Sequence, residues 1–254
     1  MHKIFYTKAL TGTLGLIMMT APLATFAATD TIVKNANAGA GTSFCTNIDT
    51  AGAKLIAGID TRTGTIDSKK ATRIAKLSEA RQKRDESLTT KRAERDTALD
   101  AHYTALMKKA DTDAKKTAVT TFKSTADAAI KTRRDAIDAA INTYRTGIDA
   151  LISSKFGTLD TDRATLKDSA NAALAKAKSS CVAGTDSKTV YTTFKTDIKT
   201  ARDTYKASRT QTKISADIKA LGTTRKASVD AAIAKFKDDM TAARTALKAA
   251  LSTK

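Results

Sequence analysis

"DAAIKTRRDAI" (residues 127–137) is followed without a gap by "DAAINTYRTGI" (138–148), and a close variant, "DAAIAKFKDDM", returns at 230–240. A phrase of eleven residues is three turns of α-helix at about 3.67 residues per turn, so its apolar positions return to one face with little supercoiling. Written in elevens from Val119, one column reads Val119, Ile130, Ile141, Ile152, Arg163 and Leu174. A second reads Ala126, Ile137, Ile148, Leu159, Ala170 and Cys181, and between them run Phe122, Arg133, Tyr144, Lys155 and Leu166. The period points to packing seams between helices.

The same frame extends in both directions. Upstream, Leu55, Ile66, Leu77, Leu88, Leu99 and Ala110 form a line, accompanied by Arg73, Arg84, Arg95 and then Leu106. Downstream, Ile218, Val229, Met240 and Leu251 form one line, and Arg225, Phe236 and Leu247 another. Three stretches of one period predict an all-α protein: an elongated antiparallel bundle of about three long helices with an eleven-residue (hendecad), coiled-coil-like repeat. Helices of such length would make a rod of about 100 Å. Composition agrees, with one Pro, no Trp, 5% aromatic and 28% charged residues, which disfavours a thick globular core. The 43 threonines are weak helix formers, so the helices must stabilise one another. Gly58, Gly64, Gly147 and Gly157 fall inside the pattern and predict fraying or bends near "GIDTRTGTID" (58–67) and "SKFGTLDTD" (154–162).

The N-terminus has Lys3 and Lys8 ahead of an apolar stretch from about Ala9 to Ala21, then Thr25 and Ala27 at the small-residue positions before a cut. This reads as a secretory signal peptide over 1–27. Cleavage would remove both lysines and lower the net charge from +18 to +16. The rest holds no second apolar run of spanning length, which predicts no integral span after cleavage. Export places the chain in the periplasm, at the cell surface or in the medium. Residues 28–44 lack the period and read as a flexible leader.

Cys45 and Cys181 are the only cysteines, and residue 113 lies midway between them, in the polar stretch "MKKADTDAKKT". A reversal there folds residues 45–181 into a helical hairpin with both cysteines at its base, where an exported chain can hold a disulfide. The rival pairing is between two chains of a dimer. A linker at 182–186 follows, in which Gly184 can end the second helix and Asp186 or Ser187 can cap the third. The third helix, over 187–254, carries +9 of the +16.

Two charge patterns suggest roles. Asp127, Asp138, Asp149 and Asp160 form an eleven-residue ladder that reflection through residue 113 brings within about one turn of Arg73, Arg84 and Arg95. The two ladders would pair along the seam edge, setting alignment more than stability. On the third helix, scattered basic residues such as Lys195, Arg202 and Arg209 can attract a polyanion. Tyr191, Phe194, Tyr205 and Phe236 are spaced for packing and do not interleave with these charges, which argues against sequence-specific nucleic-acid recognition.

Nothing in the chain assembles a reaction centre. The mature chain keeps one histidine, His102, read as a surface residue, and acid pairs such as Asp85–Glu86 and Asp238–Asp239 point different ways on a helix. No metal, cofactor or catalytic residue is expected. The expectation is a secreted, non-enzymatic coiled-coil protein of the cell envelope or surface that binds a protein or an acidic envelope polymer through helical surfaces, with homo-oligomers allowed. The alternatives are a periplasmic holdase-type chaperone for unfolded exported proteins and a non-specific binder of nucleic acid, anionic lipid or envelope polymer. In topology and basic charge the chain resembles periplasmic holdase chaperones that grip outer-membrane proteins between helical arms. Its period is similar to those of desiccation-protective proteins and lipid-surface apolipoproteins, and neither resemblance transfers functional residues.

Overall fold

The described residues are helical almost throughout. A computed structural model describes residues 40–211 and 214–252. Among these the elements are α1 (Ala40–Lys109), α2 (Asp113–Val182), α3 (Ser187–Gln211) and α4 (Ser215–Ser252), with no strand. The signal peptide expected over 1–27 lies outside the described residues, as does 28–39 of the expected leader. Residues 40–44 are a correction to that leader: they belong to α1, because Phe44 is buried and gives the first turns an apolar anchor.

The reversal falls at residues 110–112, inside the stretch that the cysteine midpoint marks. Lys108 and Lys109 occupy the last turn of α1, where cations complement the helix dipole. The Thr112 hydroxyl accepts from the Lys115 N–H at 3.3 Å and its carbonyl from the Lys116 N–H at 2.9 Å, so Thr112 caps α2. The second turn uses Gly184 at φ +78°, with the Thr185 N–H donating to the Ser180 carbonyl and the Gly184 N–H to that of Cys181. That left-handed position favours glycine. Asp186 then caps α3 by accepting from the Thr189 N–H at 2.9 Å.

The third stretch is not one helix. It is divided between α3 and α4, and Ile214 separates the second piece, its carbonyl accepting from the Ile218 N–H at 3.0 Å. Threonines at 210 and 212 weaken helix propensity around the division without a Gly or Pro to announce it. The glycines behave in the opposite way. α1 runs unbroken through Gly58 and Gly64, and α2 through Gly147 and Gly157, so packing along the seams outweighs the ~1 kcal/mol that each helical glycine costs. The threonines fit because many hydroxyls donate to the carbonyl four residues back, as Thr65 does to Thr61, Thr89 to Asp85 and Thr97 to Ala93.

The chain divides into two compact units. One combines α1 up to Gly58, α2 from Lys167 and α3 up to Thr204. Its core is Phe44, Ile48, Ala177 and Val190, with Tyr191 and Phe194 against Phe44 at ring distances of 5.3 and 5.4 Å. Cys45 and Cys181 are joined by a disulfide within the chain, their Cα atoms 5.5 Å apart. Gly52 lets Leu174 approach so closely that a Cβ there would sit 2.4 Å from a Leu174 methyl.

The other unit comprises Ile59–Leu166 and the chain from Tyr205. Its α1 and α2 segments run antiparallel, as the pairs Arg81–Asp149 and Arg92–Asp138 require. Its core gathers Tyr103, Phe122, Ala126, Ala129, Met240 and Ala243, with Leu99, Leu106, Phe236 and Leu247 packed around them. Three of the six buried residues are alanines, and where they face a neighbour the helices approach closely over a thin apolar seam. α4 runs antiparallel to α2, placing Leu221 against Gly147 and Phe236 against Arg133.

Candidate interaction surface

The flank where α1 meets α2 in the larger unit is held by arginine forks. Arg81 grips Asp149 with both terminal nitrogens at 2.9 Å, and Arg92 grips Asp138 at 2.8 and 2.6 Å. The reciprocal pairs are Arg145 on Asp85, at 2.8 and 2.6 Å, and Arg134 on Asp96, at 2.9 and 2.5 Å. Each kind of pair recurs after eleven residues on both helices, so one helix supplies the arginine at one edge and the aspartate at the other. Planar two-point contact fixes register as well as attraction. Hydrogen bonds from Arg145 and Arg134 hold the Asp85 and Asp96 carboxyls below the ordinary aspartate range. The bond to Asp138 strengthens proton retention by Arg92.

The aspartate ladder and its predicted partners separate at this point. Asp138 and Asp149 take Arg92 and Arg81, while Asp160 takes Lys70 at 3.1 Å and also Arg163. Asp127 pairs with Lys123 on its own helix at 2.7 Å. None of these contacts involves Arg73, Arg84 or Arg95. Residue 115, not 113, lies midway in both arginine–aspartate pairs, and the basic column used is the one a turn away. Arg73 and Arg84 are half-buried without an ion pair among the described residues, and Arg95 is exposed. These three continue in the line of Leu106, which packs toward the α2–α4 core.

Arg163 interrupts an apolar column and is the buried charged residue of the core, 7% exposed. It bonds Asp67 at 2.9 Å and Asp160 on its own helix, while its Nε and Nη1 have no protein partner. The Tyr103 hydroxyl is also buried without a partner, and burial followed by the Asp127 charge pushes its pKa up. Lys123 lies 5.0 Å from the Tyr103 ring.

A second basic feature arises between helices, and a reading along one helix misses it. The Arg133 guanidinium of α2 lies 4.0 Å from the centre of the Phe236 ring of α4. Eleven residues along each helix the roles exchange, and Arg225 of α4 lies 4.5 Å from the ring of Tyr144 of α2. Burial, and then the charges of Arg95, Arg134 and Arg92, depress the Arg133 pKa. Lys155, a further eleven residues along α2, is depressed by burial and by Arg209. Basic and aromatic residues therefore do interleave, with each partner on the neighbouring helix, a pairing visible only once the α2–α4 register is known.

Of the three third-helix cations, Lys195 is exposed, Arg202 is half-buried and Arg209 is half-buried with its guanidinium 5.7 Å from the Tyr205 ring. His102 is exposed, beside Tyr103. Among the described residues no group of three His, Cys, Asp or Glu side chains could hold a metal ion. No helix among them is long and apolar enough to cross a membrane. Compared with protein-family models, curated proteins and solved structures, the chain has no match.

Proposed function

We propose that the protein is an exported, non-enzymatic helical scaffold of the cell envelope or surface that engages partners through its helix faces. The observation that supports this most is the disulfide between Cys45 and Cys181, which suits an oxidising compartment and agrees with the signal-like N-terminus. The polar side chains support the same reading. Asp85, Asp96, Asp138 and Asp149 are occupied by interhelical forks that align helices, and these four do not converge on a recess as an acid–base pair would. The hendecad seam belongs to this proposal as the device that lets long helices pair in one register.

The deciding experiment is fractionation of the native cell followed by crosslinking and identification of what is joined to the protein. Recovery outside the inner membrane with a stable set of folded envelope proteins or acidic polymer supports the scaffold. A cytoplasmic location overturns it, and capture mainly of unfolded outer-membrane proteins replaces it with a holdase.

A further inference from the structure

Two half-buried arginines in the larger unit, Arg133 and Arg225, lie over aromatic rings of the opposite helix and have no carboxylate partner among the described residues. A cation removed from water without a counter-ion is costly, and native structures normally supply one. Here the neighbouring carboxylates are already taken. At the level of Arg133, Asp96 and Asp138 give both oxygens to Arg134 and Arg92. At the level of Arg225 and Tyr144, Asp85 and Asp149 give both oxygens to Arg145 and Arg81. The charge of Arg95 on α1 also bears on Arg133 at the first level. Stacking uses the face of a guanidinium and leaves its N–H edge for an acceptor, and the planar fork of donors matches an oxyanion.

We propose that these two levels are oxyanion subsites engaged together by one linear polymer bearing phosphate groups. They are separated by eleven residues along both α2 and α4, about 16 Å of helix, too far for one small ion to bridge. A single phosphate can occupy one level, whereas a chain occupies both and gains from the second contact without a new diffusional encounter. The inference names a partner class beyond the scaffold reading. It stands independently of export, because purified protein is sufficient to test it.

The test is calorimetric titration of the disulfide-bonded chain with long-chain polyphosphate and, separately, with inorganic phosphate at the same phosphate concentration. Arg133→Gln with Arg225→Gln is expected to weaken polyphosphate binding by about tenfold or more. Lys54→Gln with Lys188→Gln removes the same charge from exposed lysines and is expected to leave affinity within about twofold. Arg133→Lys with Arg225→Lys retains the charge and loses the fork, so it too is expected to lose most of the affinity. Circular dichroism melting of every variant separates a lost site from a lost fold, and the lysine variant carries the test if the glutamine variant melts early. The proposal is overturned if the exposed-lysine control weakens binding as much, if the lysine replacements bind like the parent, or if inorganic phosphate equals the polymer.

Discussion

The two units solve the same packing problem with different chemistry. The smaller joins its helices covalently and by aromatic contact, with Phe44 against Tyr191 and Phe194 beside the Cys45–Cys181 bond. The larger has no disulfide, a core rich in alanine, and helices aligned by four arginine–aspartate forks. A thin seam buries little apolar area per residue, so register must come from somewhere else. A disulfide supplies it once, at one point, and forks supply it repeatedly along a helix pair.

The contrast is broken most severely by Cys45→Ala with Cys181→Ala. The expected cost is about 4 kcal/mol in urea denaturation of the whole chain, with hydrogen exchange accelerated around residues 45–52 and 174–190. Equal acceleration around Arg92 and Asp138 would show that the ladder depends on the bond. Next comes Ile148→Ala in the larger unit, where a side chain only 2% exposed leaves a cavity. The expected loss is about 3 kcal/mol, without the change in exchange near the cysteines that the first variant produces.

A smaller effect belongs to the forks. Removing Arg92 and Asp138 singly and together should give a coupling of about 0.5–1 kcal/mol, discounted because the two side chains are 24% and 39% exposed. Acid should act in the same direction. Asp85 and Asp96 have lowered folded-state pKa values, so their contribution is complete above the ordinary aspartate value of about 3.9 and is lost as pH falls through the lowered values. Melting followed from pH 6 to pH 2 checks the sign, and a unit that grew more stable on acidification would contradict it.

The smallest effects take their sign from what faces the glycine. A Cβ at Gly64 or Gly157 meets nothing within 4 Å, so Gly64→Ala and Gly157→Ala should each stabilise by about 0.5–1 kcal/mol. Gly52→Ala instead places its Cβ 2.4 Å from a Leu174 methyl and should destabilise. Thermal melts of the three variants decide it.

Much of this architecture was legible in the sequence. The hairpin turn could be found because Cys45 and Cys181 fix its centre and "MKKADTDAKKT" is too polar to continue a seam. The aspartate ladder could be found because its period is that of the helix. Its partners could not, since one turn of helix separates Arg84 from Arg81 or Leu88 and a long arginine side chain can reach across that distance. The division between α3 and α4 was hidden because no residue there forbids a helix, while the nearby Gly222 lies inside α4. The stacked arginines were hidden for a third reason: each ring belongs to a helix other than that of its cation.

The disulfide also governs how the molecule carries load. Its two sulfur-bearing residues are 136 positions apart in sequence, and everything between them, including most of α1 and α2, is a closed covalent ring. Tension applied between a point before Cys45 and a point after Cys181 passes through the sulfur bridge and bypasses the hairpin. The bypassed chain holds about 450 Å of contour length that stretching cannot release until the bond is reduced. A chain closed this way yields that length to a pull only after the bond is reduced.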